Sequence, residues 1–453
     1  MRTEDDMCPG GATAPLGLLQ ANPHYLSYRG QATILVGATE HYGAVLNSAF
    51  DYLPYLEELY SKGLNLTRIF SGVYLESPTS FGIAQNTLAP AQGQLLSPFA
   101  RSQTPGYAGG GNKFDLYTWD AAYFQRLRHF VAAARQRDIM VEYVLFCPFY
   151  AEEMWALSPL NAANNVNGLG ALPRTQAMTL TNGPLLAVQL ALVRKVVAAL
   201  QEFENVYYEI CNEPYIGGVT LAWQHRIAEA IAHADGGRHL IAQNIANGAQ
   251  RIEDPHPAVS IFNFHYATPQ TVGLNWGLPK VIANDETGTK GIGDAAYRQE
   301  AWEFFLAGGG VFNHLDYSFT TETPRGTFAL PAGQPGGGGA SLRHQLGVLK
   351  AFIEQLPFTQ MAPDHTSVTG GVPEPEAVPV LAQAGVAYGM YLRGKGVQIE
   401  MMLPEGVYEV DWVNVFDGKR ERRETVQSPG QVVLQGPDWV EEVAVKVERH
   451  QGS

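Results

Sequence analysis

Val206-Tyr-Tyr-Glu-Ile-Cys-Asn-Glu-Pro214 is an apolar strand pattern that runs directly into a polar turn. Proline has no N–H for a sheet ladder, so the strand ends before Pro214 and Glu213 lies at its carboxyl end. Burial beside an apolar wall would raise the pKa of this carboxyl group and suit it to proton donation. Taken alone, the same residues also fit an exposed loop glutamate beside a capping Asn212.

A second predicted strand also ends in a carboxylate. Lys280-Val-Ile-Ala-Asn-Asp-Glu286-Thr-Gly288 places Glu286 just before a turn glycine. Strand ends of a small closed barrel converge towards its axis, and two carboxyl groups about 5 Å apart carry out retaining glycoside hydrolysis. Asp285 competes with Glu286, but neighbouring strand residues point to opposite faces, so only one of them should address the pocket.

Working outward from these two segments, the chain alternates short apolar runs with longer segments of helical period. This alternation is typical of βα units around a parallel sheet. Helices are predicted over residues 51–62, 119–136, 184–200 and 341–356, whereas the fifth and sixth strands are joined by a segment with little helical pattern. The pattern predicts an α/β fold, a (β/α)8 TIM barrel over residues 24–357 after an N-terminal extension 1–23, with strands at 34–37, 65–70, 139–146, 206–210, 239–243, 260–265, 281–283 and 311–315.

Three long insertions follow predicted strands. Residues 74–118, 147–181 and 320–340 come after the second, third and eighth strands. In a barrel these positions are the loops of the catalytic face, so extra length has accumulated where a site would be formed. The alternative is that they are tolerated surface insertions.

After Pro357 the hydrophobic period changes to two. Seven short alternating strands between residues 378 and 447 are separated by Gly, Pro and Asp turns, which predicts a small antiparallel β-sandwich over residues 358–453. Packing against the barrel is its expected role. Carbohydrate binding through Trp412 or Trp439 is the alternative, since both are as easily core residues.

The composition limits the classes of partner. With 30 Lys and Arg against 44 Asp and Glu, the formal charge is −14, and an acidic surface repels nucleic acid. Three cysteines in 453 residues, Cys8, Cys147 and Cys211, make no disulfide framework and have no zinc-ligand spacing. The N-terminus has no secretory signal pattern and no apolar run is long enough to cross a membrane, so the expectation is a cytoplasmic protein with no membrane partner.

The two strand-terminal glutamates give the sequence a specific resemblance. It resembles the clan A glycoside hydrolases, the retaining (β/α)8 enzymes that include family five, over about residues 22–357. In that clan the Glu of Asn-Glu-Pro after strand four is the acid/base and a Glu ending strand seven is the nucleophile. The resemblance therefore implies these roles for Glu213 and Glu286. Thr287 departs from the pattern, because an aromatic residue often stands there.

Other positions match the clan less closely. Arg68, near the end of strand two, resembles the arginine that orients the nucleophile, although a surface ion pair is its alternative. The resemblance implies that Asn212 donates to the sugar 2-hydroxyl. His265 and Tyr266 resemble the His and Tyr beside the nucleophile, but they are adjacent here, so strand alternation would let only one face inward.

Strand eight lacks the tryptophan that many clan members place under the sugar. Residues that could bind sugar hydroxyls or stack on a sugar ring instead are His41, Trp276, His314, Asp316 and Tyr317. Trp155 is a further stacking candidate, and Glu40 lies beside His41 at a strand end. Plain packing is the alternative for each aromatic residue, and no spacing of His, Asp or Cys predicts a metal site.

The sequence as a whole predicts a retaining β-glycoside hydrolase that acts on an oligosaccharide, polysaccharide or other β-glycoside. No cofactor is required, because water is the second substrate. A sugar-binding barrel without catalysis is the alternative from another class, since a fold alone does not prove activity, and a metal-dependent barrel hydrolase is a third. The sugar, the mode of attack along a chain and the oligomeric state are not readable from the sequence.

Overall fold

The fold was analysed in a computed structural model that describes residues 14–394, 398–437 and 441–450. Eight parallel strands close into a barrel, with the last strand pairing the first through Val311 and Leu35. The predicted TIM barrel is confirmed. Its strands, β1 to β8, are Leu35–Thr39, Leu66–Phe70, Met140–Phe146, Val206–Cys211, Ile241–Asn247, Ile261–His265, Val281–Glu286 and Val311–Leu315.

Helices connect all but one pair of successive barrel strands. The exception is the connection between β5 and β6, where the sequence also has little helical pattern. Helix α3 lies inside the insertion after β3, and α8 follows the last barrel strand. The helices of the described residues, α1 to α8, are Tyr52–Ser61, Ala121–Arg135, Glu152–Leu157, Leu185–Leu200, Leu221–Asp235, Pro269–Asn275, Asp294–Leu306 and Ala340–Glu354.

Local sequence explains where these helices begin and end. The Asp120 side chain accepts hydrogen bonds from the backbone N–H groups of Ala122 and Tyr123, which caps the start of α2. Gly236 ends α5 in the left-handed region at φ 67°, where a side chain would be strained. Among the described helices, none is both long and apolar enough to cross a bilayer.

Smaller elements accompany the barrel. A three-stranded sheet of Gly17–Leu18, Leu26–Tyr28 and Gln31–Thr33 precedes β1, and Leu16 and Leu26 pack with the starts of the barrel strands. The insertion after β2 contains an antiparallel hairpin of Phe99–Pro105 and Asn112–Trp119. Single 3-10 turns are found at Ser80–Gly82, Ala162–Asn164, Arg174–Gln176, Phe358–Gln360 and Pro375–Ala377.

The C-terminal part is a pair of antiparallel sheets, as predicted. Strands β9 to β17 are Ala362–Asp364, Val368–Gly370, Val380–Gln383, Ala387–Arg393, Gln398–Met402, Gly406–Asn414, Arg420–Ser428, Gln431–Gln435 and Glu442–Arg449. One sheet has the order β9-β11-β12-β17-β14-β15 and the other has the order β10-β13-β16. Trp412 is fully buried in the core formed by side chains of both sheets, so it offers no sugar-stacking face. Trp439 lies outside the described residues.

The barrel and the C-terminal sheets share buried side chains. Tyr391 on β12 stacks on Trp302 of α7, with ring centroids 5.7 Å apart, and belongs to the same apolar core as the barrel. Beside this contact, Arg298 of α7 makes a bidentate ion pair with Glu442 at the start of β17, at 2.7 and 2.6 Å. The junction is therefore packed like a protein interior.

Candidate active site

A cavity of about 290 Å³ lies at the carboxyl ends of the barrel strands. Both strand-terminal glutamates, Glu213 and Glu286, face into it. Its walls come from the ends of the barrel strands and from the segments that follow β1, β2, β3, β4, β6, β7 and β8. The other lining residues are His41, Tyr42, Phe70, Tyr74, Glu76, Phe81, Ile83, Leu88, Cys147, Tyr150, Asn212, Tyr266, Thr289, Leu315, Tyr317 and Pro335.

The two glutamates approach each other closely. A carboxylate oxygen of Glu213, a carboxylate oxygen of Glu286 and a ring nitrogen of His265 all lie within 4.8 Å of one another. Glu286 is the last residue of β7, and Glu213 follows β4 by two residues, at φ 36°. Both side chains are largely buried, with 9% and 8% of Glu213 and Glu286 exposed.

Four side chains surround the Glu286 carboxylate. Tyr42 donates to Oε2 at 2.7 Å, Tyr266 donates to Oε1 at 3.0 Å, and Arg68 Nη1 lies 3.3 Å from Oε2. His265 Nδ1 is 3.4 Å from Oε1. Burial would raise the pKa of Glu286, but the charges of His265 and Arg68 and these hydrogen bonds hold it well below its usual range. Glu286 is therefore ionised.

Arg68 is a fully buried cation beneath the cavity. Its Nη2 donates to Glu209 at 2.5 Å and to the Asn212 side-chain oxygen at 2.7 Å, and its guanidinium lies 4.7 Å from the Tyr42 ring centroid. Arg68 therefore pairs with the buried Glu209 of β4 and does not form the surface ion pair that was the alternative prediction. Arg68 thus links Glu286 to Asn212 and leaves the Asn212 amide group on the cavity side.

Glu213 has a different set of partners. His265 Nδ1 lies 3.2 Å from Oε1, Tyr150 donates to Oε2 at 2.6 Å, and the Tyr215 hydroxyl is 3.1 Å from Oε1. Burial would raise the pKa of Glu213, as the sequence analysis expected, but the hydrogen bond and positive charge of His265 lower it. The same contacts raise the pKa of His265 well above its usual range, against the effect of burial. The two shifts together favour a proton on His265 beside an ionised Glu213.

His265 and Tyr266 both face the glutamates, although strand alternation would turn one of them away. His265 is the last residue of β6, and Tyr266 adopts φ 52°, so the chain turns at that residue. On the neighbouring strand the register shifts, because His265 pairs with Glu286 rather than with Asp285. Asp285 is directed into the barrel, where the Asn263 amide donates to it.

Backbone strain is concentrated around the cavity. Eight non-glycine residues among those described have positive φ, and four of them, Tyr42, Phe81, Glu213 and Tyr266, line the cavity. A left-handed conformation costs a non-glycine residue about 1 kcal/mol or more, and it persists where surrounding contacts enforce it. Here it directs side chains into the cavity that regular strands would direct elsewhere.

Of the other predicted sugar-binding residues, His41 and Tyr317 line the cavity, whereas Trp276, His314 and Asp316 do not. Trp276 stacks on His24, with ring centroids 3.8 Å apart, at the end of the barrel where the strands begin. His314 is fully buried and hydrogen-bonds Thr287.

Asp316 is also fully buried, and it pairs with the Arg343 guanidinium at 2.6 Å. The Glu40 carboxylate accepts hydrogen bonds from the backbone N–H groups of Gly43 and Ala44, at 3.0 and 2.8 Å.

Several cavity residues were missed by the sequence analysis. Tyr42 follows His41 directly and could have been found as a further residue at the end of β1. Glu76 and Tyr150 come from the insertions after β2 and β3, whose paths no local pattern predicts. Their only signal was that long insertions follow strands on the catalytic face.

Among the described residues, two groups of side chains are close enough to share a cation. One is Glu213, His265 and Glu286; the other is Glu142, Glu209 and Asp285. Arg68 lies 3.6 Å from Glu142 and 3.8 Å from Asp285, in addition to its contact with Glu209, and so compensates the second group. Burial raises the pKa of Glu209 to about 7 and that of Glu142 well above the usual range.

The fold has well-defined structural neighbours. A glycoside hydrolase family 5 protein from Bacteroides vulgatus matches with a TM-score of 0.66 at 13% identity, over 96% of this chain and 94% of its own. Another Bacteroides vulgatus protein, assigned to the glycoside hydrolases, covers 99% of this chain and 84% of its own at 14% identity, with a TM-score of 0.67. The chain shares their fold. The clan A resemblance is confirmed at that level, C-terminal sheets included.

A family 5 mannosidase from Rhizomucor miehei matches less of the molecule. It covers 76% of this chain and 100% of its own, with a TM-score of 0.51 at 11% identity. No protein-family model matches the sequence, and no curated protein matches it.

Proposed function

We propose that this protein is a retaining β-glycoside hydrolase with Glu286 as nucleophile and Glu213 as acid/base. The carrying observation is that oxygens of the two carboxylates lie within 4.8 Å of each other across one cavity. Retaining enzymes have carboxyl groups about 5–5.5 Å apart, whereas inverting enzymes need about 6.5–9.5 Å to admit a water molecule. The described arrangement fits the shorter separation.

In the first step Glu286 attacks the anomeric carbon. A carbon–oxygen bond to Glu286 forms as the glycosidic bond breaks, and the leaving oxygen takes a proton from Glu213. That proton reaches Glu213 from His265 Nδ1, 3.2 Å away. A bound sugar displaces water, and the less polar site favours the neutral His265–Glu213 pair over the ion pair.

The second step releases the sugar. Water loses a proton to Glu213 while its oxygen bonds to the anomeric carbon, and Glu286 departs as a carboxylate. While Glu286 is esterified it carries no charge, so the repulsion that raises the pKa of Glu213 is absent. Glu213 is then ionised more readily and acts as the base. No cofactor takes part in either step.

Asn212 has the geometry to hold the 2-hydroxyl of the sugar. Its oxygen accepts from Arg68, one amide hydrogen goes to the Tyr150 hydroxyl at 2.8 Å, and the other is directed to Cys147 Sγ at 3.6 Å, a weak acceptor that a sugar hydroxyl can replace. Contacts to that hydroxyl strengthen in the transition state of retaining hydrolysis. Arg68 acts through Asn212 and Glu286 and is a positioning residue.

The test uses 4-nitrophenyl and alkyl β-glycosides of several sugars, with proton NMR of the first-formed product. We expect the product to keep its configuration, and Glu286→Gln to abolish turnover of every substrate. Glu213→Gln should retain the first step on 4-nitrophenyl substrates, whose leaving group needs no proton, and lose it on alkyl substrates.

The control is Glu153→Gln, an exposed glutamate on α3 outside the cavity, which should behave like the parent protein. An inverted product would contradict the proposal, and so would equal losses by Glu213→Gln on both leaving groups. Sugar binding without turnover of any substrate would favour the non-catalytic binding protein.

A further inference from the structure

Glu76 is a cavity carboxylate that the proposed catalytic steps do not use. It lies on the insertion after β2, is 5% exposed and lines the cavity beside His41. Tyr74 donates to its Oε1 at 3.0 Å and Asn86 donates to its Oε2 at 2.6 Å. Each carboxylate oxygen accepts one of these hydrogen bonds, so each retains a lone pair for another donor.

The loops beside Glu76 close one side of the cavity. The backbone N–H of Ala84, on the insertion after β2, donates to the Gln334 side chain at 3.0 Å, and Gln334 is buried on the loop after β8. That loop is joined in turn to the loop after β7 through a bridge between Gly291 and Gly336. Three loops thus form a continuous wall, to which Pro335 contributes.

The side of the cavity next to Glu213 is open to solvent. Tyr215, whose hydroxyl contacts Glu213, is 40% exposed. Phe81, whose ring packs against Tyr150 at 5.6 Å, is 54% exposed. Because Glu213 protonates the leaving oxygen, the leaving group lies on this open side and the bound glycosyl unit extends towards the closed one.

The cavity volume of about 290 Å³ is at the lower limit of small-molecule sites. A cavity of this size accommodates about one sugar ring, and the joined loops bound it on the side of Glu76.

We infer that the enzyme removes single terminal glycosyl units, and that Glu76 recognises two adjacent hydroxyls at the end of that unit farthest from the scissile bond. This inference rests on the proposed function. A carboxylate matches a vicinal diol because its two oxygens accept from neighbouring hydroxyls at once. Glu76 is thus a specificity-determining residue, and neither of its oxygens needs to reach the anomeric carbon.

The mode of attack is tested on the wild-type protein with borohydride-reduced tetrasaccharides of the sugar that gives the fastest 4-nitrophenyl glycoside turnover. We expect the monosaccharide to be the sole initial product. A tetrasaccharide methylated at the terminal hydroxyl that would carry a further unit should resist hydrolysis. Disaccharide or trisaccharide as first products, or cleavage of the methylated substrate, would overturn the inference while leaving the glycosidase proposal intact. Turnover of no β-glycoside at all would overturn both.

The role of Glu76 is tested with Glu76→Gln and with 4-nitrophenyl glycosides lacking one ring hydroxyl at a time. A hydrogen bond to a charged group is worth about 10- to 100-fold in kcat/KM. We expect the wild-type protein to lose about 10- to 100-fold in kcat/KM on each of the two substrates that lack one of two adjacent hydroxyls. Glu76→Gln should show the same loss on the substrate with all its hydroxyls, and removal of either of those two hydroxyls should then cost it little more.

Glu153→Gln serves as the matched control and should respond to every deoxy substrate as the wild-type protein does. The wild-type measurements stand even if Glu76→Gln folds poorly. Equal losses by Glu76→Gln on all substrates, or no wild-type preference for any two adjacent hydroxyls, would overturn the assignment of Glu76.

Discussion

The buried ion pair between Arg298 and Glu442 allows a quantitative test of how the barrel is joined to the C-terminal sheets. The Glu442 carboxylate accepts two hydrogen bonds from Arg298, one from Tyr391 at 2.7 Å and one from Gln299 at 2.9 Å. Arg298 also donates to Gln345 at 2.8 Å. Both charged residues are at most 5% exposed.

Glu442→Gln keeps the shape of the side chain but leaves the Arg298 charge buried without its counter-ion. Removing one partner of a buried pair costs about 3–5 kcal/mol. Arg298 keeps its bond to Gln345 and lies 4.4 Å from the Phe416 ring centroid, so we expect the lower end, about 3 kcal/mol. Arg298→Met should cost a similar amount, because it strands the Glu442 carboxylate.

The assay is urea unfolding of the parent protein, both single variants and the double variant, followed by tryptophan fluorescence and circular dichroism. The double variant should lose clearly less free energy of unfolding than the two single variants summed, with a coupling above about 1 kcal/mol. Glu448→Gln, a more exposed glutamate on the same strand, is the control. A loss below about 1 kcal/mol for Glu442→Gln, or additive single variants, would refute the reasoning.

The pH dependence of the same contribution follows from the pKa. Burial would raise the pKa of Glu442, but hydrogen bonds from Arg298, Gln299 and Tyr391 lower it in the folded protein. A carboxyl group whose pKa is lower in the folded protein than in the unfolded chain adds stability at pH values above its unfolded pKa, which is about 4.3 for Glu. That stability is lost as the pH falls through the pKa of the folded protein. The difference in unfolding free energy between the parent and Glu442→Gln should therefore shrink below about pH 4.3.

Three further outcomes are expected. Tyr42→Phe removes the 2.7 Å hydrogen bond to Glu286 and should lower kcat/KM by about 10- to 100-fold, measured on 4-nitrophenyl substrates; an unchanged value would contradict the role given to Tyr42. His265→Asn removes the cation that depresses the pKa of Glu286, so the acidic limb of the kcat/KM profile should move to higher pH; a stationary limb would show that His265 is uncharged there. Trp276→Ala, which loses the stack on His24, should reduce the free energy of unfolding by at least about 0.5–1.5 kcal/mol and leave kcat/KM unchanged, and a kinetic loss would contradict its placement away from the cavity.

The barrel was predictable because its signals are local. Each strand is a short apolar run, and all eight were found within a few residues of their observed limits. The longest discrepancies, at β5 and β7, arise where polar residues such as Asn244 and Asp285 continue the strand into the barrel interior. The C-terminal sheets followed from period-two alternation, although the two short strands Ala362–Asp364 and Val368–Gly370 were missed.

The candidate site was only partly predictable. Glu213 and Glu286 could be found because each lies at or just after a strand end, where topology alone determines direction. Glu76 and Tyr150 could not, because insertions reach the cavity by paths that depend on tertiary contacts. The pKa of Glu213 was expected to rise with burial, but the direction of its shift depends on His265, which lies 52 residues away in the sequence.

The left-handed residues at the cavity restrict how its walls can vary. Tyr42, Glu213 and Tyr266 hold backbone conformations that β-branched side chains essentially never adopt, so Val, Ile and Thr are excluded there whatever their fit to a ligand. Ile83 and Leu88 line the same cavity with ordinary backbone angles. Substitutions that change the preferred ligand, in evolution or by protein engineering, are therefore expected at those two positions and at Glu76. The strained residues keep their backbone conformation while these positions vary.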